Sequence, residues 1–165
     1  MKKYILTAFG KDKPGIVASI TEILYKKGAN IEDSSMSRLS GQFVIMLLFT
    51  SENPISKEDF RLENIEVYIN QVEDEDISKG STCNVIISIY GADKAGIVYK
   101  VSELLAWKNI NITDLRTHKL KDIYIMLMEV ELQDVSLSSL EKSLKELSKE
   151  LNVDISLQEV CKEVL

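Results

Sequence analysis

The chain has 165 residues, a formal charge of −6 and a pI near 4.9. An acidic chain whose lysines and arginines are scattered rather than bunched lacks the electrostatic footprint of direct nucleic-acid binding, so any role in gene control is expected to run through a protein partner. Cys83 and Cys161 have no C-x-x-C spacing and only His118 to join them, which argues against a metal site; neither a metal nor a cofactor is expected. No apolar run approaches membrane-spanning length, and Met1-Lys2-Lys3-Tyr4 has no signal-peptide core, so the expectation is a cytoplasmic protein without membrane contact.

The stretch Asp12-Lys13-Pro14-Gly15-Ile16-Val17 returns as Asp93-Lys94-Ala95-Gly96-Ile97-Val98. A shift of 81 positions also places Gly10 on Gly91, Asn30 on Asn111 and Asp33 on Asp114. A repeat of this length is a duplicated domain rather than a solenoid unit. The expected division is 1–73 and 82–165, joined by the acidic stretch 74–81 as a linker. Domains so small have thin cores, and a shared face or a homodimer is expected to supplement them.

Taken in order, Tyr4–Phe9 reads as a strand and the motif as the loop into a helix. That helix should start near Pro14, capped by Asp12, with Ile16, Val17, Ile20, Ile23 and Leu24 on its core face. Its counterpart carries Ile97, Val98, Val101, Leu104 and Leu105, with Asp93 as the cap. Gly28 and Asn109 both suit a left-handed C-cap. The strands Asn30–Leu39 and Asn111–Leu120 are polar enough for sheet edges. The next strands, Gln42–Thr50 and Ile123–Leu132, are nearly continuous in their hydrophobicity and suit the interior; a shorter second hairpin is expected to shift them by one residue. The second copy continues with a helix at 137–151, its leucines spaced by three and four and Ser138 with Glu141 forming a capping box. The first copy offers only a two-turn helix at Ser56–Leu62, so one face of its sheet should be poorly covered. Strands Glu66–Val72 and Val153–Val160 close the two halves. Each half is therefore expected to be an α+β, ferredoxin-like β-α-β-β-α-β domain, an antiparallel four-stranded sheet with its helices on one face.

Fold alone decides no function. The central strands are aliphatic rather than aromatic, against an RNA-binding sheet; the first loop has no paired cysteines for metal transfer and no arginine for acyl-phosphate hydrolysis. His118 stands in the second polar strand with no copy in the first half, and no catalytic constellation forms around it, so the protein is not expected to be an enzyme. The motif loop has other uses. A strand-to-helix turn presents backbone N–H groups and the positive end of a helix dipole, which hold an anion such as a carboxylate.

The loop Asp-Lys-Pro-Gly-Ile-Val, the helix after it and Gly28-Ala29-Asn30-Ile31 resemble the signature of ACT domains, regulatory modules of amino-acid metabolism. Two of them with nothing else in the chain resemble the glycine cleavage system transcriptional repressor family and related double-ACT proteins. The resemblance implies allosteric binding of a small amino acid, glycine by analogy, in a cleft between paired domains, read by a protein partner. By matching positions it implies that Asp12, Lys13, Pro14, Gly15 and Ile16 form one wall and Asn30 with Ile31 the opposite wall. Asp93, Lys94, Ala95, Gly96, Ile97, Asn111 and Ile112 form the second site. The alternatives are a ligand-free dimerising interaction module and, more remotely, an acylphosphatase-like hydrolase.

Overall fold

A computed structural model describes residues 1–73 and 83–160; the segment 74–81 expected as a linker, and Cys161, lie outside the described residues. The chain divides into two compact units, Met1–Ile77 and Ser78–Leu165. The first contains β1 (Lys2–Lys11), α1 (Ile16–Lys26), β2 (Asn30–Leu39), β3 (Gln42–Ser51), a 3-10 turn (Lys57–Asp59) and β4 (Ile65–Val72). The second contains β5 (Cys83–Ala92), α2 (Ile97–Trp107), β6 (Asn111–Leu120), β7 (Ile123–Leu132), α3 (Leu137–Leu151) and β8 (Val153–Val160). Both sheets are antiparallel, ordered β2-β3-β1-β4 and β6-β7-β5-β8, the ferredoxin-like arrangement with the polar strands at an edge.

Alternation along the central strands sets the core. Tyr4, Leu6 and Ala8 of β1 and Phe43, Ile45, Leu47 and Phe49 of β3 face the helix side with Ile16, Ile20 and Leu24 of α1. Val85, Ile87, Ile89, Met126, Met128 and Val130 do the same beneath α2 and α3. Gly28 and Asn109 take left-handed conformations after their helices, at φ 71° and 54°, as their residue types allow.

Five local expectations are corrected. Helix α1 begins at Ile16, with Gly15 and not Asp12 at its N-cap, and Gly96 holds that place in α2. The second hairpin is not shorter. Lys121-Asp122 turns the chain where Ser40-Gly41 does, and β7 starts 81 positions after β3 just as β5 starts 81 after β1. The cap of α3 is Ser136, whose Oγ accepts the Ser139 N–H at 3.3 Å, two residues before the expected box. The two-turn helix at Ser56–Leu62 shrinks to the turn Lys57–Asp59. Nor is the helix side of the first sheet left open, because Ile55 and Phe60 bury themselves against it from the irregular segment.

The poorly covered face is the other one, in both units. Phe9, Val44, Met46 and Tyr68 stand exposed on the first sheet, and Tyr90, Ile123 and Leu127 on the second. The polar edge strands β2 and β6 carry a bulge at equivalent places, Ile31/Asp33 and Ile112/Asp114. A bulge twists an edge and limits open-ended pairing along it.

Candidate functional site

Loop and helix meet in each unit at a residue in the left-handed conformation, which glycine takes without steric cost. Gly15 has φ 88° and Gly96 φ 95°, and neither α1 nor α2 has a side-chain cap or an acidic residue in its first turn. The first intrahelical bonds are those of Ser19 N–H to the Gly15 carbonyl and Lys100 N–H to Gly96, both 2.9 Å. The N–H groups of the turn before them have no intrahelical acceptor and carry the positive end of the dipole. Helix α3, away from these loops, is capped by Ser136. The loop helices alone among these three therefore present bare donors.

The aspartates that the sequence places in the loop wall have another task. Asp12 N–H donates to the Gly41 carbonyl at 2.9 Å and its Oδ2 accepts Arg38 Nη1 at 3.1 Å. Asp93 N–H donates to the Asp122 carbonyl at 3.2 Å, and its Oδ2 accepts Lys119 Nζ at 2.5 Å. Arg38 and Lys119 are the same position of the repeat. Both aspartates therefore bind the loop to the end of the edge strand and its hairpin. A double-mutant cycle of Asp12→Asn with Arg38→Gln, read by thermal melting, is expected to give a coupling of about 0.2–1 kcal/mol, weakening with salt, since Arg38 is exposed. Lys94 also turns away, donating to the Leu151 carbonyl at the end of α3 at 3.4 Å.

The two expected walls do not meet within one unit. Lys13, Pro14, Gly15 and Ile16 line a small cavity of about 110 Å³ closed by Leu62, Glu63 and Ile65. Asn30 and Ile31 line a separate groove of about 500 Å³ with Ala18, Thr21, Glu22, Tyr25 and Ala29. The register explains the separation. Asn30 pairs with Thr50, which pairs with Lys3, whereas Lys11 pairs with Gln42 next to the loop. At about 3.4 Å per residue, eight residues of β1 put the two ends roughly 27 Å apart. In the second unit Asn111 and Ile112 likewise lie across from Glu131 and Val130, while Ala92, before the loop of Asp93, Ala95, Gly96 and Ile97, lies across from Ile123.

Sequence reasoning missed Glu22 and Tyr25 as groove residues, although the apolar stripe of α1 places both off the core face. The Lys26 ammonium, 2.7 Å from Glu22, holds that carboxyl below its ordinary range. Asp33 and Asp114 at the bulges are engaged locally. Asp33 accepts the Ser34 N–H at 2.7 Å and Asp114 accepts Arg116 Nε at 2.9 Å. Among the described residues no cluster of three His, Cys, Asp or Glu could hold a metal ion, and no helix is long and apolar enough to cross a membrane.

A duplicated ferredoxin-like domain, each copy opening its first helix with an uncapped left-handed glycine beside a polar edge strand, defines the class. The chain belongs to the ACT-domain family, whose sequence profile matches residues 3–71 and 84–158. It is 26% identical over 169 positions to the glycine cleavage system transcriptional repressor of Escherichia coli, covering 94% of this chain and 89% of that protein. A UPF0237 protein of Methanococcus maripaludis is 38% identical over 77 positions, covering 46% of this chain and 86% of its own length. Among solved structures, an unknown protein from Galdieria sulphuraria superposes with a TM-score of 0.83 at 25% identity, over 96% of this chain and 98% of its own. A putative glycine cleavage system transcriptional repressor superposes at 0.66 and 19% identity over 98% of both chains, a likeness of fold.

Proposed function

We propose that this protein is a non-enzymatic regulator that binds a small, glycine-like amino acid between paired ACT domains and passes the resulting change to a protein partner. The observation that carries this reading is the pair of bare, glycine-led helix N-termini in register in both repeats, each suited to a carboxylate. The separation of the walls fits it as well. Two edge strands paired antiparallel about a two-fold axis bring the start of one strand beside the end of the other. In a homodimer paired in that way the Asn30 groove of one copy faces the loop of the other, and the functional unit is the pair of copies. A ligand bridging the two favours that pairing by its difference in affinity for the paired and unpaired states. The E. coli relative makes transcriptional control of glycine cleavage the natural setting for such a sensor, exerted through a partner and not through direct nucleic-acid contact, in the cytoplasm.

Thermal melting against the twenty amino acids tests this. A ligand that binds only the folded state at a hundred times its Kd adds about 2.7 kcal/mol, and a shift of several degrees is expected for one or a few of them. Gly15→Ala is expected to cost about 1–2 kcal/mol by itself, because φ 88° is unfavourable to a Cβ, and to abolish the shift. Asn30→Ala, at an exposed side chain, is expected to abolish the shift with little change in the unliganded melt. A flat response to all twenty at millimolar concentration sinks the sensor reading. It would favour a ligand-free interaction module, for which the exposed Phe9, Met46 and Tyr68 on the helix-free face are the specific support.

A further inference from the structure

The two repeats diverge on the outer side of their first helices, beside the start of the edge strand. In the first unit this is the groove containing Ala18, Glu22, Ala29 and Asn30. The same positions 81 residues later are Tyr99, Glu103, Ile110 and Asn111. The acid and the amide are retained, and each alanine has become a large side chain. Tyr99 donates its hydroxyl to Glu103 Oε1 at 2.5 Å, and Ile110 is buried. In the second unit, then, the carboxylate at the helix wall is already met by a donor of the chain itself, while Ile110 packs into the core. In the first unit Glu22 meets Lys26 alone among the described residues, both side chains more than half exposed, and a carboxylate accepts several donors at once.

We propose that the first repeat's groove is the one that takes an amino-acid ligand, its ammonium donating to Glu22 and its small side chain passing between Ala18 and Ala29, and that Tyr99 closes the equivalent groove of the second repeat. The Tyr99 hydroxyl stands where that ammonium would lie. This inference rests on the amino-acid-binding reading above and goes further in naming Ala18 and Tyr99 as the residues that decide which groove is open. It sets a stoichiometry of one ligand per chain.

The experiment is titration calorimetry on the full chain with glycine, alanine, serine and valine. Wild type is expected to bind one molecule per chain, Ala18→Tyr to lose affinity at least tenfold, and Tyr99→Ala to bind two per chain. Both positions are exposed, so the melts of both variants are expected to stay within a few degrees of wild type, since surface changes cost within about 0.5 kcal/mol. Wild-type affinity in Ala18→Tyr, two molecules bound to wild type, or one molecule still bound to Tyr99→Ala overturns the groove assignment while leaving the sensor reading in place. No heat from wild type or Tyr99→Ala with any of the four overturns the assignment, and the twenty-amino-acid melt then shows whether the sensor reading falls with it.

Discussion

Replacing Gly10 by alanine is expected to destabilise the first unit by about 3 kcal/mol, at the upper end of the range for overpacking. Gly10 lies in the central strand β1 opposite Ile65, where β4 begins. A Cβ there would stand 2.3 Å from the Asn64 carbonyl oxygen and 3.3 Å from the Ile65 Cα. Both obstacles are backbone, and Asn64 itself is held at φ 61° in the turn into β4, so neither can rotate away as a side chain does. For a domain of this size 1 kcal/mol moves the midpoint by about 4–8 °C, and a fall of roughly 12–24 °C is expected in a thermal melt. Gly91 is the equivalent residue, but its Cβ would meet the Val153 side chain at 2.7 and 3.0 Å before the backbone at 3.2 Å. Gly91→Ala is accordingly expected to cost less, about 1–2 kcal/mol, and Val153→Ala in the same chain to recover part of that. A Gly10→Ala protein melting within two degrees of wild type would mean that the start of β4 yields, and that close approach is not the reason for this glycine.

That pair of glycines marks where reading the sequence stops. The shift of 81 positions was visible because identical residue types recur, and edge and centre were visible because polar Asn30–Leu39 and apolar Phe43–Phe49 differ in composition. Gly10 and Gly91 also aligned, but their reason lies in the approach of a strand more than fifty residues later in the chain, which no local pattern encodes. The loop aspartates are legible in the sequence, but their hairpin contacts are not. An Asp before a helix is ordinarily a cap, and only the fold brings Arg38 beside Asp12 and Lys119 beside Asp93. Resemblance names the site residues, and the register shows why they form two concave surfaces within a unit rather than one. The ammonium of Lys94, a residue of the expected second loop wall, reaches the end of α3, an element whose position the loop sequence does not encode.

Phe60→Ala is expected to cost the first unit about 3–4 kcal/mol, within the range for removing a buried phenylalanine, although Phe60 lies in no helix or strand. In the second unit Leu140, Leu144 and Leu147 of α3 cover the sheet. Among the described residues the first unit has only 52–64 in that place, and Phe60 and Ile55, 6% and 5% exposed, are what that segment buries. An irregular segment can hold a core residue only if its polar groups are satisfied, and here they are tied back to the C-terminal end of α1. Asn53 Nδ2 donates to the Lys27 carbonyl at 3.1 Å, Ser51 Oγ donates to the Asn53 carbonyl at 2.9 Å, and the Asp59 carboxylate accepts both Lys27 Nζ at 2.6 Å and the Ser56 N–H at 3.0 Å. Lys27 first, and then the Ser56 N–H, hold the Asp59 carboxyl below its ordinary range. A lowered folded-state pKa means that this contribution is complete above the unfolded carboxylate value and is lost as pH falls through the folded one. Phe60→Ala should therefore lower the urea midpoint at neutral pH with little change in slope, and Asp59→Asn should lower neutral stability slightly and flatten its decline below about pH 4. A loss below 1 kcal/mol for Phe60→Ala would mean that the segment rests on the sheet without stabilising it, and that β1, β3 and α1 form a sufficient core by themselves.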